Sequence, residues 1–141
     1  AKGVEVHLPT DVIIADDFSN DANQKACNVG EIPDDWEGLD AGPDTLKSFE
    51  DLVMQSKTIL WNGPLGVFEF ENFSKGTIAL GEHIAKSTAA GAFSLLGGGD
   101  SVSAVKQSGF EDKMSYISTG GGAMVESLEG KTLPGIAALM E

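Results

Sequence analysis

The sequence contains no arginine: all nine of its basic residues are lysines, against 22 aspartates and glutamates. The net charge of −13 disfavours long-range attraction to nucleic acid or to an anionic membrane surface. Enzymes that transfer phosphoryl groups usually stabilise the transferring group with Arg, Lys or Mg²⁺. Because no lysine lies in a glycine-rich turn either, a phosphate site in this chain has to depend on backbone N–H groups, a metal ion, or cations from another segment.

Cysteine, histidine and long apolar runs are also scarce. The one cysteine, Cys27, allows no internal disulfide, which favours a reducing, cytoplasmic compartment. His7 and His83 have no metal-ligand partner at a usable spacing, so neither is assigned a role. No apolar run approaches the ~20 residues that a membrane span requires. The 141 residues, 41% of them hydrophobic, predict one folded domain of ordinary size.

Glycine is abundant, and its arrangement in Ala92–Gly109 (AFSLLGGGDSVSAVKQSG) predicts a strand, a glycine turn and a helix. A turn of glycines can adopt positive φ and lets a ligand approach the backbone. The free N–H groups and partial positive charge at the start of the helix favour an anion. Asp100 and Ser101 are good N-cap residues, and the carboxylate could also hold a divalent cation brought by a phosphate. The structural alternative is a tight strand-to-helix turn that Asp100 caps.

The same plan occurs twice more. An apolar strand at Lys57–Trp61 leads into Asn62–Glu69 (NGPLGVFE), and a strand at Met114–Ser118 leads into Thr119–Ala123 (TGGGA). Strands that alternate with helices predict an α/β fold with a parallel sheet. Right-handed crossovers bring all three glycine turns to the carboxyl edge of that sheet, where ligands bind in open α/β folds. Together the turns form a backbone-lined surface suited to polyphosphate.

The first third of the chain is less regular. Alternating residues predict a half-exposed strand at Val4–Leu8, and an apolar run predicts a buried strand within Asp11–Phe18. Lys25–Val29 is predicted to be a short strand. Asp34–Pro43 (DDWEGLDAGP) is expected to be irregular, serving either as a loop anchored by Trp36 or as an apolar wall for a flat ring. Two further segments are expected to be helical: Asp44–Ser56, and the apolar tail Ile136–Glu141, which is expected to dock as a short helix.

Standard nucleotide and covalent-catalysis motifs do not fit. GGGDSV lacks the third glycine of the dinucleotide fingerprint, which disfavours an NAD-type redox domain. Gly130-Lys131-Thr132 imitates the end of a Walker A loop, but position 125 is valine and the trio follows a helix instead of preceding one. No Ser–His pair is indicated, and Cys27 has no helix N-terminus or cation beside it.

Longer motifs resemble the phosphoglycerate kinase family from near Val4 to the tail. They are WEGLDAGP at Trp36–Pro43, WNGPLGVFE at Trp61–Glu69, GGGDS at Gly97–Ser101, STGGGA at Ser118–Ala123 and LEGKTLPG at Leu128–Gly135. Members of that family are two-domain enzymes about three times this length. The resemblance implies a three-layer α/β/α Rossmann-like parallel sheet, with residues 1–141 as an incomplete, later part of the C-terminal nucleotide-binding domain and the N-terminal substrate domain absent.

The resemblance implies a glycolytic phosphotransferase: the acyl phosphate of 1,3-bisphosphoglycerate passes to Mg-ADP, giving ATP and 3-phosphoglycerate. Asp100 would serve the nucleotide-bound Mg²⁺, and Glu69 would bind the ribose hydroxyls. The nucleotide-binding positions that it implies are Gly38, Leu39, Asn62, Pro64, Val67, Glu69, Gly98, Gly99, Asp100 and Ser101. The glycines that would face the transferring phosphoryl group are Gly120, Gly121 and Gly122.

In the family the catalytic arginine, the substrate-binding basic patch and the nucleotide-site lysines lie in segments that this sequence does not contain. We therefore expect a cytoplasmic, monomeric parent enzyme, and no kinase turnover by this chain alone. The alternative is a standalone nucleotide-binding or scaffolding module that keeps the glycine turns but catalyses nothing.

Overall fold

The computed structural model describes residues 2–140, which form two three-stranded sheets and five α-helices. The strands are β1 (Asp11–Ala15), β2 (Gln24–Asn28), β3 (Glu37–Ala41), β4 (Thr58–Asn62), β5 (Phe93–Gly97) and β6 (Tyr116–Ile117). The helices are α1 (Pro43–Gln55), α2 (Lys75–Ala89), α3 (Gly99–Gln107), α4 (Gly121–Leu128) and α5 (Pro134–Ala137). Short 3₁₀ turns occupy Val29–Glu31, Glu71–Phe73 and Glu111–Lys113.

From β4 onward the chain follows the predicted strand–turn–helix plan. The three strands lie in the order β4-β5-β6 and pair in parallel, with Trp61 opposite Leu96 and Leu96 opposite Ile117. Helices α2, α3 and α4 all contact β5. The predicted α/β class, with a parallel sheet flanked by helices, is confirmed.

One apolar core lies between this sheet and its helices. Ile84, Leu96 and Val105 are each 1% exposed, and Trp61 and Leu80 complete the buried cluster. Burial of side chains of this size contributes about 1.5–3 kcal/mol each. Thr77, Leu80 and Ile84, which recur at helical spacing, form the inward face of α2 and are all buried.

The first third of the chain forms a separate antiparallel sheet in the order β2-β1-β3. The strand at β3 corrects the expectation that Asp34–Pro43 is irregular throughout, because pairing with β1 orders its middle part. The pairing is interrupted: Asp40 lies opposite Ile13 and Gly38 opposite Ile14. Leu39 is therefore the extra residue of a β-bulge, a feature that redirects the backbone groups next to it.

Both expectations for the outermost segments were wrong. Val4–Leu8 forms no strand and its apolar side chains are exposed, Val6 at 76%. Alternation favours a strand only where a partner and a core face are available. Helix α5 ends at Ala137, and Leu139 beyond it is 87% exposed, so the tail does not dock on the described residues. Glu141, the last residue of the expected helix, lies outside them.

The outer edge of β4 has no strand beside it among residues 2–140. Leu60 on this strand is 43% exposed. A cleft of about 380 Å³ adjoins the strand and is lined by apolar side chains that include Phe49, Leu52 and Ile59. In the described part of the chain, no helix has the length and apolar character needed to cross a membrane.

Candidate functional site

The three glycine turns that follow β4, β5 and β6 meet at the carboxyl edge of the parallel sheet. Gly98 and Gly121 are in backbone contact, since a Cβ added to Gly121 would overlap the amide nitrogen of Gly98. A Cβ added to Gly98 would lie 2.6 Å from the Oδ1 atom of Asn62. The predicted convergence of Asn62, the Gly97–Ser101 turn and Gly121 on one edge is confirmed. Only glycine permits backbones to approach this closely.

Helices α3 and α4 both begin at this edge without a side-chain cap. The N-cap residue of α3 is Gly98 with φ +90°, and that of α4 is Gly120; neither helix has a side-chain capping bond. The expectation that Asp100 or Ser101 is the N-cap was wrong: both lie inside the first turn of α3. Asp100 is exposed there. The first amides of a helix have no intrahelical acceptor and carry partial positive charge, so the two helix starts favour an anion.

Ser101 joins two of the turns. Its side chain is fully buried, and its Oγ accepts a hydrogen bond from the Gly63 amide at 2.6 Å. The Trp61 indole Nε1–H donates to the Gly63 carbonyl at 2.7 Å. The backbone N–H and C=O groups of Gly63 are thus both hydrogen-bonded to side chains, which fixes the turn after β4 against the start of α3.

The segment between β4 and the 3₁₀ turn at Glu71–Phe73, here called the 63–70 loop, contacts both sheets. The Thr77 Oγ1 atom accepts hydrogen bonds from the amides of Leu65 and Gly66 at 3.1 and 3.2 Å. The Val67 amide donates to the Leu39 carbonyl in the β3 bulge at 2.9 Å. Val67 also packs on the cluster of Ala15, Leu39 and Phe73. Leu39 and Val67, two of the predicted pocket residues, are therefore brought together.

Glu69 belongs to the 63–70 loop and lies beside α3. It lines a cleft of about 270 Å³ together with Phe68, Ala104, Gln107 and Ser108. Gln107 is the last residue of α3 and Ser108 follows it, so this cleft borders the second half of the helix. Glu69, which is exposed, therefore lines a cleft beside the second half of α3, whereas the Gly97–Ser101 turn lies at the start of that helix.

The remaining predicted positions lie in three places. Gly99, Gly120 and Gly122 are exposed at the edge, with backbone that a ligand can reach. Pro64 is half-buried within the 63–70 loop. Gly38 lies in β3 opposite Ile14, where a Cβ added to it would lie 3.7 Å from the Val12 side chain, and no described contact joins it to the edge formed by the glycine turns.

Sequence reasoning missed two buried polar residues that hold these elements together, Asp40 and Thr77. Asp40 is 4% exposed and Thr77 is 2% exposed. A carboxylate inside an apolar, glycine-flanked strand is costly to bury unless it is hydrogen-bonded. That sequence context, LDAG, was the available signal for Asp40. Thr77 lies at helical spacing with Leu80 and Ile84 on the buried face of α2, and that spacing indicates burial but not its bonds to the 63–70 loop.

Two buried carboxylates have opposite pKa shifts. Burial raises the pKa of Asp40 above its ordinary 3.8, and the hydrogen bonds from Gly76 and Ala41 only partly oppose it. Burial also acts to raise the pKa of Asp11, but bonds from the Thr45 hydroxyl and from the amides of Thr45 and Asp44 outweigh it, so the Asp11 pKa is lowered.

Within residues 2–140, no three His, Cys, Asp or Glu side chains are grouped so that they could hold a metal ion. Asp100 is a single exposed carboxylate beside two uncapped helix starts. It suits a Mg²⁺ ion whose other ligands come from phosphate and water, the usual arrangement for this ion in phosphate-binding sites.

A parallel sheet with glycine turns gathered at its carboxyl edge defines the class of α/β proteins that bind ligands there. The sequence profile of the phosphoglycerate kinase family matches residues 1–131. The chain belongs to the phosphoglycerate kinase family.

Individual relatives agree with that assignment. The chain is 59% identical over 138 residues to phosphoglycerate kinase of Porphyromonas gingivalis and 56% identical over 138 residues to that of Thermosynechococcus vestitus, covering 98% of this chain in both cases. The structure of phosphoglycerate kinase from Coxiella burnetii matches 99% of this chain with a TM-score of 0.90 and 47% identity. This chain spans about a third of each relative: 33% and 34% of the two sequences and 35% of that structure.

Proposed function

We propose that this chain provides the nucleotide-binding site of a phosphoglycerate kinase, in which the acyl phosphate of 1,3-bisphosphoglycerate is transferred to Mg-ADP. The observation that carries the proposal is the contact between the glycine turns: Gly98 against Gly121, with Asn62 beside Gly98. Two uncapped helix starts and one exposed carboxylate at the same edge supply what a magnesium-bound polyphosphate requires.

The proposed roles follow the positions. The amides around Gly98 and Gly99 bind phosphate oxygens, and Asp100 faces the nucleotide-bound Mg²⁺. Ser101, whose hydroxyl is engaged by the Gly63 amide, acts by fixing the turn, with Asn62 beside it. Glu69 accepts hydrogen bonds from the ribose hydroxyls. The adenine and ribose walls are formed by Gly38, Leu39, Pro64 and Val67.

Transfer of the phosphoryl group requires alignment and charge stabilisation, with no protein nucleophile. The start of α4, with Gly120, Gly121 and Gly122, faces the transferring group and stabilises its charge through backbone N–H groups. Bound Mg²⁺ adds positive charge at the nucleotide phosphates. With no arginine in the sequence, this chain has only part of the required positive charge, and we expect no turnover by the chain alone.

We further propose that residues 1–141 are the later part of a C-terminal nucleotide-binding domain, whose other segments complete the sheet. The relatives are about three times as long, and the edge strand β4 has apolar Leu60 half-exposed beside an apolar cleft. A further strand on that edge would bury both. In the longer enzyme, 1,3-bisphosphoglycerate binds an N-terminal domain and the parent acts as a monomer.

A second candidate function is a nucleotide-binding module that catalyses nothing, and the absence of arginine is the observation that favours it. The two candidate functions share the nucleotide-binding site. They differ in whether a longer polypeptide containing this chain forms ATP. The cytoplasmic location stays a prediction, and one relative, from Volvox carteri, is named as chloroplastic.

Calorimetric titration of the chain with Mg-ADP tests the nucleotide-binding site that both candidate functions share. We expect saturable binding that Asp100→Asn weakens about tenfold or more, a loss of about 1.4 kcal/mol. Asp112→Asn, a change at an exposed carboxylate in the 3₁₀ turn after α3, is the control and should leave the affinity within about twofold. Tighter binding of NADH than of Mg-ADP, or equal affinity of the Asp100→Asn chain and the unsubstituted chain, would contradict the proposal.

A further inference from the structure

We propose that Asp40 is a positioning residue that sets the shape of the 63–70 loop and thereby the nucleotide pocket. It holds the start of α2 against β3, and these two elements together bind the amides of Leu65, Gly66 and Val67. The part of this inference that concerns nucleotide rests on the proposed function; the part that concerns the loop does not.

The carboxylate of Asp40 connects β3 to α2. Its Oδ2 atom accepts a hydrogen bond from the Gly76 amide in the first turn of α2, and its Oδ1 atom accepts one from the Ala41 amide, both at 2.8 Å. Amides in the first turn of a helix have no intrahelical acceptor, and a buried one left unpaired is costly. Asp40 therefore fixes where α2 begins relative to β3.

Two glycines leave room for the Asp40 carboxylate because they have no Cβ. A Cβ added to Gly66 or to Gly76 would overlap the Oδ1 atom of Asp40. Gly76 belongs to α2, whereas Gly66 belongs to the 63–70 loop. The loop backbone consequently lies in contact with the Asp40 carboxylate. A change in the size or position of that group therefore shifts the loop backbone.

The chain neighbours of Asp40 and Gly76 accept hydrogen bonds from the loop. Leu39 precedes Asp40 in the chain, and its carbonyl accepts the Val67 amide. Thr77 follows Gly76, and its hydroxyl oxygen accepts the Leu65 and Gly66 amides. Three consecutive loop amides thus depend on two neighbours, one from β3 and one from α2. The Asp40–Gly76 bond is what keeps those two neighbours at a fixed separation.

Asp11 offers a matched control elsewhere in the chain. It is 6% exposed, and its carboxylate accepts the amides of Asp44 and Thr45 at the start of α1, at 3.1 and 2.7 Å. A Cβ at Gly42 would overlap it in the same way. Asp11 therefore performs the same helix-start chemistry, but all the hydrogen bonds that its carboxylate accepts come from Asp44 and Thr45, outside the 63–70 loop.

The test compares Asp40→Asn with Asp11→Asn by amide hydrogen exchange and by calorimetry with Mg-ADP. Asparagine replaces one acceptor oxygen with an NH₂ donor, which cannot accept an amide. For Asp40→Asn we expect exchange at Leu65, Gly66 and Val67 to accelerate about tenfold more than exchange in β5. The dissociation constant for Mg-ADP should rise about tenfold.

Asp11→Asn should accelerate exchange at Asp44 and Thr45, while leaving the three loop amides and the Mg-ADP affinity within about twofold after correction for global stability. If Asp40→Asn accelerates the loop amides no more than those of β5, Asp40 acts on overall stability alone and the inference is overturned. The same holds if both variants weaken Mg-ADP equally.

A measurement on the unsubstituted chain keeps the inference testable even if Asp40→Asn does not fold. The amides of Leu65, Gly66, Val67 and Gly76 should open with one shared free energy, because the Asp40–Gly76 bond fixes the positions of Leu39 and Thr77, which accept the three loop amides. Loop amides that exchange about tenfold or more faster than Gly76 would overturn the inference. If the unsubstituted chain binds no Mg-ADP, the proposed function and the nucleotide part fail together, and exchange still decides the loop part.

Discussion

Ser101 and Gly63 are 38 residues apart in the sequence, and the Ser101 Oγ accepts the Gly63 amide at 2.6 Å. The hydroxyl is completely buried, so water cannot take its place without rearrangement. Ser101→Ala should therefore leave the Gly63 amide unpaired and lower the free energy of unfolding by about 1–3 kcal/mol. Ser103→Ala, an exposed serine on the same helix, is the control for urea unfolding and should change it by less than about 0.5 kcal/mol. Equal effects at the two positions would show that this bond does not join the turns.

Gly121 and Gly122 are adjacent but differ in their surroundings. A Cβ at Gly121 would overlap the Gly98 backbone, whereas a Cβ at Gly122 would meet nothing within 4 Å. Gly121→Ala should force the two turns apart and cost about 1–3 kcal/mol. Gly122→Ala should stabilise the chain by up to about 1 kcal/mol, because alanine is the better helix former. Thermal unfolding of the two variants checks the contrast, and a harmless Gly121→Ala would mean that the turns are not in contact.

Asp11 and Asp40 should give the stability opposite pH dependences. The lowered pKa of Asp11 means that its contribution is complete above 3.8 and is lost as pH falls through the pKa of the folded chain. The raised pKa of Asp40 means that the folded chain binds its proton more readily, so stability falls as pH rises from 3.8 through the raised value.

Urea unfolding between about pH 3 and pH 7 separates the two contributions. The difference between the unsubstituted chain and Asp11→Asn should grow with pH. The difference from Asp40→Asn should shrink as the carboxylate ionises. Parallel pH profiles for the two variants would contradict the assignment of opposite shifts.

Glu69 should act on the ribose and not on the phosphates, since it lies along α3 away from the glycine turns. Glu69→Gln should weaken Mg-ADP binding by about 1–2 kcal/mol, because hydrogen bonds to a charged acceptor are the stronger ones. Its affinity for magnesium tripolyphosphate should remain unchanged. Glu82→Gln, at an exposed position on α2, serves as the control for both ligands. Equal weakening of both ligands by Glu69→Gln would move Glu69 to the phosphate end of the site.

The parallel sheet and its glycine turns could be predicted from the sequence because each is encoded locally. An apolar run, a group of glycines and a helical repeat follow one another in each unit, and right-handed crossovers then bring the turns together. Asn62, Gly98 and Gly121 were expected at one edge and are found there.

Features that depend on distant partners could not be predicted in the same way. The strand at Glu37–Ala41 contains a glycine and is followed by Gly42 and Pro43, so local propensity favoured a loop, and only pairing with β1 makes it a strand. Val4–Leu8 shows the converse, an alternating pattern without a partner. The bonds of Ser101, Asp40 and Thr77 connect residues 11 to 38 positions apart, and no short motif reveals such pairs.

Titration of the isotopically labelled chain with Mg-ADP, monitored by amide chemical shifts, tests whether the three turns form one nucleotide-binding site. The account predicts that the amides of Gly63, Gly99, Asp100 and Gly122 shift together, with one dissociation constant, while those of β2 stay unchanged. No shift at all, or shifts confined to the antiparallel sheet or to the cleft beside β4, would contradict it.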